Sequence, residues 1–285
     1  MNESPRLSMT TETGCKCLQS RIGVWNYSYK LATMSEENFT IHQYALGPWD
    51  NLMYLLEDNS THNCAVVDPA WDIEAIVKEI EKRGLTPTHC LITHNHYDHV
   101  NMLFPLLARY PDIPVYMLDI EIDWSKFSCD NLVRVSAGDT IEIGDNLKVK
   151  TIHTPGHSPG SMSFHLGNSL LTGDAVFIDS CGRADFVGGD PKVLYKTINW
   201  LADNLPEDTV FYPGHGSLER GSDTLANQKK NNPYFVFDNY EDFEAKRMDG
   251  YSPGSPMPSV SPEWEKKVEE QQPAHAGPVP GLPSA

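Results

Sequence analysis

Long apolar runs and basic residues are both scarce in this chain of 285 residues. No run of about 18 apolar residues occurs, so the sequence contains no candidate transmembrane helix. Lysine and arginine number 22 against 39 acidic residues, which gives a formal net charge of −17. Because this charge repels phosphate backbones and anionic lipids, we expect neither a nucleic acid nor a membrane as partner.

Cysteine is also sparse, with six scattered residues of which only Cys15 and Cys17 are close together. In a chain of this length the pattern favours reduced thiols, and the apolar runs around Cys64 and Cys90 predict burial. The N-terminus lacks the charged and then apolar pattern of a signal peptide. We expect a cytoplasmic protein, with a mitochondrial one as the alternative.

Apolar residues make up 40% of the chain and aromatic residues 10%, which is enough for a folded core. Residues 1–35 are polar and predict a flexible arm. The folded catalytic domain is predicted over residues 36–248. Residues 249–285 are rich in Pro, Ser, Gly and Ala, a composition that predicts a disordered tail with one short helix from Pro262 to Gln271.

Strand-like and helix-like segments alternate within the domain, which is typical of an α/β layered fold. The predicted strands are Met53–Glu57, Ala65–Asp68, Cys90–Thr93, Val115–Leu118, Leu147–His153, Met162–Leu166, Ser169–Thr172 and Thr209–Tyr212. A helix is predicted from an Asp72 cap to Arg83, with Gly84 ending it. A second begins at Asp190-Pro191 and runs to about Asn204.

The densest group of ligand-type side chains is His94-Asn-His-Tyr-Asp-His99, which follows a buried strand. It holds the imidazoles of His94, His96 and His99 and the carboxylate of Asp98. Packing gives no reason for this density, and such ligands without thiolates suit zinc or iron. Three further residues of ligand type lie beside glycine at the ends of strand-like segments. They are His157, Asp174 and His215.

Six motifs in order over roughly residues 40 to 240 resemble the metallo-β-lactamase superfamily, and within it the glyoxalase II (hydroxyacylglutathione hydrolase) and persulfide dioxygenase branch. The motifs are Val66-Val-Asp-Pro69, Thr93-His-Asn-His-Tyr-Asp-His99, Thr154-Pro-Gly-His157, Thr172-Gly-Asp174, Cys181-Gly-Arg-Ala-Asp185 and Tyr212-Pro-Gly-His215. The resemblance implies an α/β fold, a four-layer αββα sandwich with its active site at the strand-end edge.

The resemblance also implies two divalent metal ions, zinc or alternatively iron. His94, His96 and His157 would hold one ion and Asp98, His99 and His215 the other, with Asp174 between them. A metal-bridged hydroxide would then cleave a thioester, since cations lower the pKa of bound water from 15.7 toward about 7. Asp98 is the predicted catalytic residue, because it could accept a proton as the tetrahedral intermediate forms.

Three residues are predicted to contact a small-molecule thioester or thiol-derived substrate. Arg183 suits an anionic group because its guanidinium can bind carboxylate at two points, but an internal salt bridge to Asp185 is the competing interpretation. Cys181 and Tyr212 are the other two. A homodimer is a further expectation.

The ligand set leaves the reaction open. A persulfide dioxygenase would use one iron on His94, His157 and Asp174, with open positions for O₂ and sulfur. A hydrolase of another ester or lactone, and a metal-binding scaffold without activity, are weaker alternatives. The short segment after His215 lacks the C-terminal helical extension with which glyoxalase II binds glutathione.

Overall fold

The computed structural model describes residues 31–35 and 38–274, which form two β-sheets packed face to face with helices on both outer faces. The strands are β1 (Leu31–Ser35), β2 (Phe39–Leu46), β3 (Asn51–Asp58), β4 (Asn63–Val67), β5 (Thr86–Leu91), β6 (Val115–Leu118), β7 (Leu132–Val135), β8 (Thr140–Ile143), β9 (Leu147–His153), β10 (Met162–Leu166), β11 (Ser169–Gly173), β12 (Val210–Pro213) and β13 (Asp223–Thr224). The helices are α1 (Ile73–Arg83), α2 (Tyr97–Val100), α3 (Leu103–Arg109), α4 (Asp119–Ser125), α5 (Pro191–Asn204), α6 (Leu225–Asn231), α7 (Tyr240–Arg247) and α8 (Pro262–Gln271).

Strands β1 to β7 form the first sheet in chain order, antiparallel up to β4 and parallel from β4 to β7. The second sheet has the order β13-β12-β11-β10-β9-β8, in which β11 and β12 are parallel. This is the expected four-layer αββα sandwich, and the predicted fold class is confirmed.

Strand β3 shows why the chain packs in four layers. Its Met53 and Leu55 face a cluster shared with helices, whereas Leu52, Tyr54 and Leu56 face the second sheet. Both faces are therefore covered, which explains a run of consecutive apolar residues in place of alternating polar ones. On the far side of the second sheet, α5 and α7 complete the fourth layer.

The best-supported sequence predictions hold to the residue. Asp72 caps α1 by accepting a hydrogen bond from Ala75 N at 3.1 Å, and Gly84 ends the helix in the left-handed conformation at φ 67°. Strand β2 was not predicted, because His42 and Gln43 interrupt its apolar pattern. Both are buried, and Gln43 Nε2 donates to Tyr54 Oη at 2.9 Å.

The ends of the chain differ from expectation. The backbone of Leu31–Ser35 pairs with β2, inside the arm that was predicted over residues 1–35. At the other end, residues 249–274 are not a disordered tail: α8 forms as predicted and packs on the domain, with Val268 only 1% exposed. Trp264 and Val268 lie one turn apart, and this short apolar stripe outweighs the polar composition around it. The rest of both predicted segments lies outside the described residues.

The described cysteines are free thiols, and Cys64 and Cys90 are buried as predicted. Cys15 and Cys17 lie outside the described residues. Within the part of the chain that the structure covers, no helix is long and apolar enough to cross a membrane.

Candidate metal centre

The seven predicted ligands meet at one edge of the two sheets. The His94–His99 segment begins three residues after β5 ends, and His157 follows β9. Because β11 and β12 are parallel, Asp174 and His215 leave the second sheet at the same edge. Gly214 N donates to Gly173 O at 2.8 Å and joins these two turns.

The ligand atoms form three overlapping groups, and within each group all atoms lie within 4.8 Å of one another. The first half-site is His94, His96 and His157. The second half-site is Asp98, His99 and His215. The group between them is His94, His99 and Asp174. All are buried except His215, which is partly exposed.

Distances in both half-sites fit a shared ion. His96 Nδ1 lies 3.0 Å from His94 Nε2 and 2.8 Å from His157 Nε2. His215 Nε2 lies 3.2 Å from both His99 Nε2 and Asp98 Oδ2. Two nitrogens bound at 2.0 to 2.1 Å to one tetrahedral zinc stand about 3.3 Å apart. The donors therefore have the spacing that such an ion requires.

Asp174 supplies the clearest sign that cations belong here. Its Oδ2 lies 3.4 Å from His157 Nε2 and 3.3 Å from His215 Nε2, one ligand of each half-site. Its Oδ1 is buried without a hydrogen-bond partner and lies 3.4 Å from His99 Nε2, so a cation placed there would stabilise its charge. A Cβ on Gly214 would stand 2.3 Å from this oxygen, so glycine is what leaves the carboxylate room.

Outer contacts orient four of the imidazoles so that Nε2 faces the centre. The pairs are His94 Nδ1 with Thr93 Oγ1 at 3.0 Å, His99 Nδ1 with Asp68 Oδ2 at 2.9 Å, His157 Nδ1 with Arg183 O at 2.6 Å, and His215 Nδ1 with Trp49 O at 2.8 Å. Such partners fix the ring and select the nitrogen that binds metal. Asp68 also accepts from Thr93 N at 2.8 Å, so it holds loop backbone as well as the His99 ring.

Sequence reasoning missed Asn51, at the start of β3. Its Nδ2 donates to Asp98 Oδ2 at 2.8 Å and to Asp98 O at 3.0 Å, while its Oδ1 accepts from Trp71 Nε1 at 2.8 Å. The side chain therefore fixes a ligand carboxylate from behind. A single asparagine in no recognisable motif carries no sequence signal for this role.

Glu121 was missed for the same reason. This fully buried residue of α4 accepts from Asn95 N through Oε1 at 2.9 Å, and from Gly160 N and Ser158 Oγ through Oε2 at 2.9 Å each. Asn95 lies between His94 and His96, and Ser158 follows His157. One carboxylate thus joins the two loops that form the first half-site.

The two half-sites differ in their electrostatics. Burial, followed by the neighbouring His157, lowers the pKa of His96 to about 3. Burial alone would also lower the pKa of His99, but Asp174 and Asp98 outweigh it and raise that pKa to about 9. Burial works against the charge of Asp98 too, yet His99 and His215 hold its pKa below the usual range. The first half-site therefore offers neutral lone pairs, and the second pairs imidazoles with ionised carboxylates.

The predicted substrate contacts are not supported. The Arg183 guanidinium forms the alternative salt bridge, with Nε donating to Asp185 Oδ1 at 2.9 Å. It also stacks between the rings of Phe186 and Tyr251, at 4.1 and 4.2 Å from their centroids. Its contribution to the centre is the main-chain oxygen that orients His157.

Cys181 and Tyr212 are core residues, each 2% exposed. Cys181 packs in the cluster under α5 and α7, where burial raises the pKa of its thiol to about 12. Tyr212 points between the sheets against the Tyr54 ring, 6.1 Å away, because alternation along β12 turns it from the helices. Neither side chain is available to a substrate.

The family follows from the fold, the ligand geometry and one sequence comparison: residues 46–215 match the model of the metallo-beta-lactamase superfamily. The chain belongs to this superfamily. Its relatives assign it to the glyoxalase II and persulfide dioxygenase branch of the superfamily. They support the general activity of a metallo-hydrolase.

Three of the matches illustrate this. The chain is 34% identical to the "Probable polyketide biosynthesis zinc-dependent hydrolase BaeB" of Bacillus velezensis, over 68% of this chain and 86% of that protein. It is 32% identical to the cytoplasmic hydroxyacylglutathione hydrolase of Arabidopsis thaliana, over 58% and 64%. The crystal structure of ETHE1 from Myxococcus xanthus superposes with a TM-score of 0.67 at 27% identity, covering 80% of this chain and 96% of that one.

Proposed function

We propose that the protein is a glyoxalase II-type hydrolase that cleaves a thioester with two divalent metal ions, zinc in the first instance. The observation that carries this proposal is the complete second half-site. Asp98, His99 and His215 lie with their ligand atoms within 4.8 Å of one another, next to a first half-site that is complete without them. A single-ion enzyme would leave these three clustered donors without a metal ion to bind.

The side chains divide the work. His94, His96 and His157 would hold one ion, Asp98, His99 and His215 would hold the other, and Asp174 would serve both. When bound, the two ions supply Lewis acidity and a water-derived nucleophile at neutral pH. Asp98 accepts the proton that the attacking water gives up, and Asn51 keeps the carboxylate in place.

A thioester suits these residues because its leaving group needs little help. A thiol has a pKa of about 8.5, so the thiolate leaves without a strong general acid. Aromatic rings close two sides of the centre: Phe186 lies 5.5 Å from the His96 ring, and Phe177 lies 5.5 Å from the His215 ring. These rings reduce the access of bulk water to the reacting groups.

The relatives point to different thiols in the substrate. Hydroxyacylglutathione hydrolases among the relatives favour glutathione, whereas BaeB is named for polyketide biosynthesis. Since Arg183 is already paired with Asp185, it leaves no free fork for a glutathione carboxylate. A cytoplasmic location, a homodimer and the absence of nucleic-acid or membrane partners stay predictions.

One observation favours a second candidate, a mononuclear iron persulfide dioxygenase. ETHE1 from Myxococcus xanthus is matched over 96% of its length. If this chain were such a dioxygenase, His94, His157 and Asp174 alone would bind the iron. His99 and His215 would then be dispensable for metal binding.

Elemental analysis of the purified protein, together with two assays, tests the proposal. We expect two zinc ions per chain and hydrolysis of S-lactoylglutathione or a related thioester. One iron per chain, with O₂ uptake on addition of glutathione persulfide and no thioester hydrolysis, would establish the dioxygenase instead.

A further inference from the structure

We infer that the C-terminal helix α8 positions a ligand of the second half-site, through Trp71 and Asn51. The inference concerns metal holding and does not depend on the substrate. It requires an unbroken line of contacts from α8 to Asp98, and the structure provides one.

The first link is the seat of α8 on Trp71. The Trp264 ring packs edge to face on the Trp71 ring, with centroids 5.6 Å apart, and Val268 is buried in the same cluster. Gln271 fixes the backbone on both sides, since its Nε2 donates to Trp71 O at 3.2 Å and its Oε1 accepts from Ile73 N at 2.9 Å.

The backbone of Trp71 needs such support. Trp71 adopts φ 66°, in the left-handed region that a bulky side chain rarely occupies. Such conformations persist only where the surroundings hold them. Asn101 Oδ1 accepts from Trp71 N at 2.8 Å, and Gln272 of the same C-terminal segment donates to Asn101 O at 2.9 Å. The C-terminal segment thus constrains Trp71 directly and through Asn101.

The second link runs from Trp71 to the ligand. Trp71 Nε1 donates to Asn51 Oδ1 at 2.8 Å, which fixes the amide so that its Nδ2 donates to Asp98 Oδ2 at 2.8 Å. All three side chains are buried, so no bulk water can replace either bond. A shift of the Trp71 ring therefore frees the Asn51 amide to turn and removes a donor from the Asp98 carboxylate.

A purely structural role for α8 makes a different prediction. If α8 only adds packing, its loosening lowers the melting temperature and leaves the relative affinities of the two ions unchanged. If it positions Asp98, the weaker binding appears in the second half-site, because Asp98 belongs to that half-site and the described hydrogen bonds of Glu121 hold the first.

The test measures zinc release from the loaded, full-length protein against rising chelator concentration. Trp264→Ala removes the ring contact, and Gln271→Ala is a milder second variant that removes hydrogen bonds to Trp71 and Ile73 but keeps the Trp264 ring. Trp264→Phe keeps an aromatic ring against Trp71 and should therefore retain wild-type zinc affinity. We expect one of the two ions to be bound at least about tenfold more weakly in Trp264→Ala, as is typical when an outer contact of a metal ligand is lost, and the other to change less than about threefold.

Two controls make the result specific. Asp58→Asn disrupts a buried carboxylate that accepts from Ser60, Asn146 and Leu147 far from the centre, so it should lower the melting temperature without favouring either ion. In an Asn51→Ala background, Trp264→Ala should weaken zinc binding no further. Equal weakening of both ions, an undiminished effect without Asn51, or a wild-type protein that binds one ion would each overturn the inference.

Discussion

The first half-site offers three neutral imidazoles to an ion, whereas the second combines imidazoles with the Asp98 carboxylate. Burial and neighbouring imidazoles lower the pKa of His94 and His96, so these rings offer lone pairs but no negative charge. Asp98 and Asp174 raise the pKa of His99 to about 9, which shows how strongly negative its surroundings are. The second half-site can therefore compensate more of a cation's charge by itself, and the first depends more on Asp174.

The supports of the two half-sites also differ. Glu121 joins the two loops of the first half-site, while Asn51 holds a ligand of the second. Asp68 serves both, since it binds His99 directly and reaches His94 through Thr93 Oγ1. No described hydrogen bond links Glu121 to Asn51. Substitutions can therefore disturb one half-site at a time, and the following predictions use this separation.

Removal of Asp174 should have the largest effect, because its carboxylate lies within 3.4 Å of imidazoles from both half-sites. Asp174→Ala leaves two cations facing each other without their shared anion, a repulsion that burial makes severe. We expect loss of both metal ions and of essentially all activity, measured by elemental analysis and turnover. Normal metal content in a folded Asp174→Ala protein would refute the site assignment.

Removal of His99 should separate the half-sites. The His99→Ala protein should retain about half of the wild-type metal, since His94, His96 and His157 remain, and its thioester hydrolysis should fall sharply. His96→Ala is the matched variant in the first half-site. If the wild-type protein holds one ion and His99→Ala keeps both that ion and its activity, the comparison fails and the mononuclear iron enzyme is favoured.

A smaller and one-sided effect is expected for Glu121→Gln. Glu121 accepts hydrogen bonds from Asn95 N, Ser158 Oγ and Gly160 N. The NH₂ group of a glutamine would face at least one of these donors and could not accept its hydrogen bond, so the link between the loops weakens. We expect affinity for one ion to fall by about 10- to 100-fold in a chelator competition. Glu57→Gln is the matched control, because Glu57 binds His42 and His62 instead. An equal result for both variants would remove Glu121 from the supports.

The smallest effect is expected at Arg183. Lysine keeps the charge but loses the two-point contact with the buried Asp185, so Arg183→Lys should cost about 1 kcal/mol of unfolding free energy. KM should stay unchanged, because the side chain serves the loop and its main-chain oxygen still orients His157. A selective rise in KM at unaltered melting temperature would restore the substrate role.

The fold and the clustering of the candidate ligands could be predicted from the sequence because both leave dense local signals. Helix α1 is marked by a cap, an apolar stripe and a terminal glycine, and the His94–His99 segment has no packing explanation. Asn51 and Glu121 left no such signal, since each acts on residues that are distant in sequence. Tyr212 was misassigned because its motif shows only that it is close to His215 in sequence. The motif does not show on which face of β12 the side chain lies, since that depends on how the two sheets pack. The packing of α8 was missed since two apolar residues in a polar segment reveal nothing until Trp71 is seen beneath them.

The central claim is that both half-sites work together, and zinc titration of the metal-depleted full chain with thioester hydrolysis as the readout tests it most directly. The account predicts two bound equivalents and a rate that rises steeply only as the second equivalent binds. Full hydrolytic activity at one equivalent, with no change on adding the second, would contradict it.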